Sequence, residues 1–301
     1  MAALHKSASF LVSKAFVNLG FSILFLMPVI AYFLHFAQHG AHFKGLYHLA
    51  CILPAIPANY YLGNFFKLIS GAKGESVAKK YMEKLPADYH VFENIHLQNE
   101  DAECEVDLLV IGENGIFAVE VKNHNGKISG DINDRYWEQE KTGRQGGVYT
   151  KNIKNPIRQV KRSVYILSQI LERNQLRSWI TPLVLFTNQP RGVKVESDEV
   201  YTSGEALKYD IEHAHARKNL DNATIGRLTK LLIQESKQSR RTSFMAEVIL
   251  TKSNAIAVAL FVVVISLYSQ IPYENNRRPL PQSATTQSFN FAGIRAAQHS
   301  I

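Results

Sequence analysis

The chain has 301 residues, 46% of them hydrophobic, and a formal net charge of +8. That is enough for one ordinary domain with attachments, and the basic balance suits a polyanion or an anionic membrane surface without choosing between them. The two cysteines, Cys51 in an apolar run and Cys104 ahead of a strand-like segment, argue against a disulfide framework and for a reducing compartment around the core domain.

The first predicted element, residues 15–37, contains no Asp, Glu, Lys or Arg and exceeds the ~20 residues that cross a bilayer. Residues 46–66 form a second uncharged run, with Pro54 and Pro57 as kinks that a membrane helix tolerates. Lys6 and Lys14 precede the pair, Lys67, Lys73, Lys79 and Lys80 come after it, and the loop 38–45 holds only Lys44. The positive-inside rule then puts both ends of this membrane hairpin, and the domain after it, in the cytoplasm. A cleaved signal peptide fits less well, because the apolar stretch is longer than a signal core and a second run comes at once. His35, His39, His42 and His48 surround the loop, but their spacing matches no defined ligand set.

Residues 71–85 read as a helix, with Val77, Tyr81 and Leu85 at a spacing of four. Gly71-Ala-Lys-Gly-Glu-Ser76 lacks the Gly-Lys-Ser/Thr ending of a phosphate loop. Residues 89–97 read as a first strand. Two apolar runs, 106–111 and 116–121, then flank Gly-Glu-Asn-Gly, a strong hairpin signal. If Glu113-Asn114 is the loop, Asp107 lies opposite Glu120; if Asn114-Gly115 is, it lies opposite Lys122. In both registers Asp107, Glu120 and Lys122 share one face, and Val106, Leu108, Val110, Phe117, Val119 and Val121 share the other. A bulge would break that parity. Two carboxylates and an ammonium on an apolar hairpin are costly to bury unless paired or metal-bound. They suit a hard cation such as Mg²⁺, which activates water against a phosphodiester; they equally suit an ion network on a half-solvated sheet.

Residues 123–147 are rich in Gly and charge, with Ile128 and Tyr136-Trp137 as short strand candidates and a position beside the hairpin from which to contact substrate. Asn155 is a plausible N-cap with Pro156 at the first helical position, and Ile157, Val160, Val164, Leu167 and Leu171 give an apolar stripe. Gln159, Arg158, Lys161 and Arg162 sit where a helix N-terminus favours anions, either as phosphate-backbone contacts or as a solvated face. Residues 182–186 read as a buried strand, 195–201 as another, and 203–215 and 224–234 as helices. Residues 255–271 form a third, shorter apolar run, either a span or a buried or interfacial helix, and the tail 273–301 is Ser/Thr/Gln/Pro-rich and expected to be disordered.

Five motifs in order resemble the nuclease-related domain, NERD, a branch of the PD-(D/E)xK nuclease-like superfamily: Gly74-Glu75, Asp107, Val119-Glu-Val-Lys-Asn123 with Gly126, Trp137, and Asn155-Pro-Ile-Arg-Gln159. The resemblance covers about residues 71–190; Leu108 departs from the polar or aromatic residue common after the aspartate. It implies an α/β, restriction-endonuclease-like core, a mixed sheet flanked by helices built as helix, three antiparallel strands, helix and a further strand. It implies hydrolysis of nucleic-acid phosphodiesters, DNA ahead of RNA, with Mg²⁺ or Mn²⁺ on Asp107 and Glu120. Glu75 would be a further acidic ligand or support one, Lys122 would act on the water or the scissile phosphate, and Gln159 would complete the site. The expected organisation is a membrane hairpin (1–66), a NERD-like domain (71–190), a helical extension (191–250), a third transmembrane helix (255–271) and a tail. The rivals are a non-cutting, membrane-tethered scaffold for nucleic acid or protein, and a transporter subunit, against which the lack of intramembrane charge argues.

Overall fold

The computed structural model describes residues 1–5, 10–39, 51–99, 102–143, 145–188, 192–215, 219–249, 256–261 and 263. Its backbone is mixed α/β, with two sheets flanked by helices. The larger sheet has the order β1-β2-β3-β4-β8-β10, from Ala3–His5, His90–Gln98, Glu103–Gly112, Gly115–Lys122, Ile180–Phe186 and Val200–Tyr201. Strands β2, β3 and β4 are antiparallel neighbours, whereas β1 joins β2, and β8 joins β4, in parallel. The smaller sheet has the order β7-β6-β5-β9, from Val148–Lys154, Tyr136–Thr142, Lys127–Ser129 and Gly192–Lys194. Of the strand expected over 195–201 only Val200–Tyr201, β10, forms; β9 lies just ahead of that range and belongs to the other sheet.

Five long helices accompany them: α1 (Phe10–His39), α2 (Ala55–Met82), α3 (Pro156–Arg173), α4 (Gly204–Glu212) and α5 (Asn222–Ile249). One face of the large sheet packs Leu109, Ile111, Ile116 and Ala118 against Ile157, Val160, Leu167 and Leu171 of α3 and Leu228 and Leu232 of α5. The other packs Leu108, Val110, Phe117 and Val119 against Ala78 and Met82 of α2 and Leu207 and Ile211 of α4. The helix expected from residue 71 starts at Ala55, so the stretch behind Pro57 and the stretch bearing Glu75 are one unbroken rod.

Among the described residues one helix, Leu11–Gln38, is long and apolar enough to cross a membrane. Helices α1 and α2 pack antiparallel: Phe16 meets Phe65, Phe21 stacks on Tyr61, and Ser22 Oγ donates to the Ala58 carbonyl at 2.9 Å. Phe261, in the described part of the third apolar run, meets Phe25 edge-on. The rest of that run, the tail from 264 onward, and His42 and His48 lie outside the described residues.

The hairpin takes the first of the two expected registers. Gly112 pairs with Gly115 and Leu108 with Val119, leaving Glu113-Asn114 as the loop. Gly115 has φ +141°, a backbone region that favours glycine. The expected parity fails at one residue. Val106 packs with Leu109 and Ile111 on the α3 side, not with Leu108 and Val110. The side switch falls at Asp107, and β2 makes a matching switch at Asn94. Glu93 pairs with Leu108 and Ile95 with Val106, while Asn94, at φ +45°, is skipped by the ladder. Asn is among the few side chains that tolerate this conformation.

Candidate active site

The pairing of β3 with β4 ends at Leu108 and Val119. Beyond it the strands part, and the carboxylate of Asp107 fills the gap by accepting the Val121 N–H at 2.7 Å. Glu120 is only 3% exposed. Lys122 donates to its Oε1 and, at 3.1 Å, to Gln159 Oε1 on the first turn of α3. From the other side α2 brings in Glu75, whose Oε2 accepts from Asn94 Nδ2 at 3.1 Å. A cavity of about 220 Å³ is lined by Glu75, Asn94 and Asp107 together with Val12 at the start of α1.

Local sequence explains why α2 comes so close. A Cβ on Gly74 would lie 2.7 Å from Asn123 Cβ and 2.9 Å from Thr187 Oγ1, so only glycine lets the helix rest on the end of β4. Asn123 then clamps that helix through Nδ2 to the Ser70 carbonyl at 2.6 Å. At the other flank Asn155 uses its whole side chain. Its oxygen caps α3 by accepting from Ile157 N and Arg158 N, and its amide donates to the carbonyls of Asp131, Ile132 and Asp134. Buried Trp137 adds Nε1–H to the Asp131 carbonyl at 2.7 Å.

Residues 70–187 match the nuclease-related domain, NERD. A protein of Bacillus anthracis described as uncharacterized is 28% identical to the chain over 132 residues, 42% of this chain. The chain spans 59% of the length of that curated relative. No solved structure matches.

The electrostatics of the site are those of carboxylates buried close together. Burial raises the Asp107 pKa well above the carboxylate range, and Glu120 adds to this, against Lys122 and the Val121 N–H. Burial also raises Glu120, opposed mainly by Lys122. Glu75 is pushed up to about 7 by burial, opposed by the Asn94 hydrogen bond and reinforced by Glu105 and Glu120. Burial works against the Lys122 ammonium, but Glu120 and Asp107 outweigh it and its pKa rises. Three carboxylates thus share one ammonium. Among the described residues no three His, Cys, Asp or Glu side chains form a ready-made metal cage. The donors nevertheless fit a Mg²⁺-like ion, which takes one or two carboxylates and keeps several waters. A divalent charge would offset the burial, and the mutual repulsion that adds to it, which together favour protonation.

Sequence reasoning missed Asn94. An Asn inside the run His90–Gln98 was its only signal, because Asn is depleted in regular strands. The basic residues on α3 are partly engaged elsewhere: Arg158 Nη1 donates to the Asn133 carbonyl at 3.1 Å, and Lys161 pairs with Glu199 at 2.9 Å. Arg162 is exposed. Burial pushes the Cys104 thiol up to about 11, which disfavours the thiolate at neutral pH.

Proposed function

We propose that this protein is a membrane-anchored nuclease that hydrolyses nucleic-acid phosphodiester bonds with a divalent metal, Mg²⁺ or Mn²⁺. The observation that carries the proposal is the convergence of Asp107, Glu120 and Glu75 with Lys122 and Gln159 where β3 and β4 part. Asp107 and Glu120 would hold the cation, which when bound polarises the phosphodiester and lowers the pKa of an attacking water. Gln159 steers the Lys122 ammonium, placing positive charge to stabilise the scissile phosphate as negative charge builds on it. Glu75, raised to about 7, takes a proton from water near neutral pH; with Oε2 engaged by Asn94, its Oε1 is the acceptor atom. Arg158, Lys161 and Arg162 are further candidates for backbone contact, and DNA ranks ahead of RNA.

The anchoring half of the proposal rests on apolar side chains left at the surface. Phe16, Ile23, Met27, Ile30, Phe33 and Leu34 of α1 are all more than half exposed, a patch of the kind that marks a membrane or protein contact. Lys67, Lys73 and Lys80 come next on α2. A lipid bilayer around α1, the first half of α2 and the run 255–271, with the NERD domain in the cytoplasm, is the arrangement we favour. If the host is bacterial, the bilayer is the inner membrane.

The test uses the full chain in detergent micelles with Mg²⁺ or Mn²⁺ on single- and double-stranded DNA and RNA. Cleavage is expected, reduced by roughly a hundredfold or more in Asp107→Asn and Glu120→Gln. The lack of a ready-made three-donor cage among the described residues favours one second reading, a scaffold that binds nucleic acid or protein without cutting. Salt-sensitive binding with no cleavage on any substrate would establish that reading instead.

A further inference from the structure

Strands β6 and β7 form a hairpin that leaves the domain beside the site. Their register pairs Trp137 with Ile153, Gln139 with Lys151 and Lys141 with Tyr149. Directly opposed residues share a face, so one side of the hairpin carries these three pairs in order toward its tip. At the root, Trp137 and Ile153 are buried in the core. One step out, Gln139 Nε2 donates to the Asn125 carbonyl at 2.6 Å, so this face looks onto the segment that leaves β4 just after Lys122. A Cβ on Gly126 would lie 3.5 Å from Lys141 Cγ, which lays the Lys141 stem over that segment. Beyond it Tyr149 is 52% exposed, and Lys151 is exposed as well. Glu138 and Glu140 alternate onto the opposite face, paired with Asn152 and Thr150.

This face therefore carries uncompensated positive charge. Among the described residues neither Lys141 nor Lys151 is ion-paired, unlike Lys161 on α3. Burial lowers the Lys141 pKa and Lys151 lowers it further. His124 is held down at about 4 by burial and by Lys122, Lys141 and Lys151. The two hairpin lysines thus act on the same imidazole as the site lysine.

We propose that the β6–β7 hairpin is the arm that grips the nucleic-acid backbone, with Lys141 and Lys151 on phosphates and Tyr149 stacked on a base, leading the strand to Lys122. The proposal rests on the nuclease reading and adds the surface that holds the polymer. A polyanion is the partner that relieves this crowding of like charge. An exposed aromatic ring on the same face as two ammonium groups is the combination that holds single-stranded segments, where the bases are free to stack.

The test measures binding of fluorescein-labelled single- and double-stranded oligonucleotides to the full chain in detergent micelles, with chelator present so that nothing is cut, across a salt series. Lys141→Gln/Lys151→Gln is expected to weaken binding roughly thirtyfold and to reduce the slope of log K against log salt by roughly 2. Lys141→Arg/Lys151→Arg should restore both, and Tyr149→Ala should cost roughly tenfold on single strands. With metal added, the Gln double variant should raise KM far more than it lowers kcat. Wild-type binding and cleavage, with affinity and salt slope unchanged in the Gln double variant, would overturn the hairpin assignment and leave the nuclease reading intact. Binding without cleavage would overturn the nuclease reading, and the hairpin would then be judged on affinity alone. Absence of both binding and cleavage in the wild type would overturn both.

Discussion

Glu75 has an ordinary pKa of 4.5 and one of about 7 in the fold, because burial penalises its charged form. In the unfolded chain the carboxyl ionises near its ordinary value, while in the metal-free fold it keeps its proton up to about 7. Its contribution to stability is therefore fully present below pH 4.5, declines as pH rises toward 7, and is flat above. Glutamine mimics the protonated acid and keeps an oxygen for Asn94. Glu75→Gln should nearly match the wild type at pH 4 and exceed it at pH 8, by on the order of 2 kcal/mol after allowing for residual solvent contact. Thermal midpoints of the chelated protein at the two pH values check this, and an equal gap at both would refute the assignment. Asp107 and Glu120 also titrate in this environment, so the difference between variant and wild type is the informative quantity.

At the scale of elements, α3 owes its position to Asn155. In an ordinary helix Asp and Asn cap equally well. Here the Asn155 amide also donates to three carbonyls of the 131–134 turn, at 3.4, 3.0 and 2.8 Å. Asn155→Ala should cost roughly 2 kcal/mol, from the lost cap and the orphaned carbonyls. Asn155→Asp should cost at least as much at pH 7, since it keeps the cap but turns a charged oxygen toward those carbonyls. Denaturant midpoints of the three proteins decide it; an aspartate variant as stable as the wild type would mean that capping is the whole role.

The cap itself was legible, because Asn-Pro ahead of a three-four stripe is a local signal. Its second set of bonds was not, since the 131–134 turn is far from it in the chain. The hairpin was legible for the same local reason, though the turn residues left two registers open, while the side switch at Asp107 was not legible, because it requires a matching distortion at Asn94 on another strand. Strand β7, Val148–Lys154, escaped because six of its seven residues are exposed: a strand with almost nothing buried lacks the two-residue apolar period. The start of α2 escaped because Pro54 and Pro57 read as kinks inside a run over 46–66, yet Pro54 stands at the N-cap position and Pro57 lies in the first turn, where proline loses no hydrogen bond.

For the whole molecule, β1 makes a testable claim about sides. Ala3–His5 pair in parallel with His90–Phe92, and His5 stacks on Phe92 at 4.4 Å, so the N-terminus is stitched to the large sheet. Helix α1 then runs 30 residues away from it, about 45 Å of rise, against a hydrocarbon core of about 30 Å. Helix α2 returns antiparallel and delivers Glu75 back to the sheet. If α1 crosses a bilayer, Ala2 and Gln38 must lie on opposite sides of it, with Ala2 beside the nuclease-related fold. In a background with Cys51 and Cys104 replaced by alanine, a membrane-impermeant thiol reagent applied to intact cells should label Gln38→Cys and spare Ala2→Cys until the cells are permeabilised. Labelling of Ala2→Cys alone would invert the topology. Equal protection of both would mean that α1 does not cross, and its exposed apolar face would then need a protein partner in place of lipid.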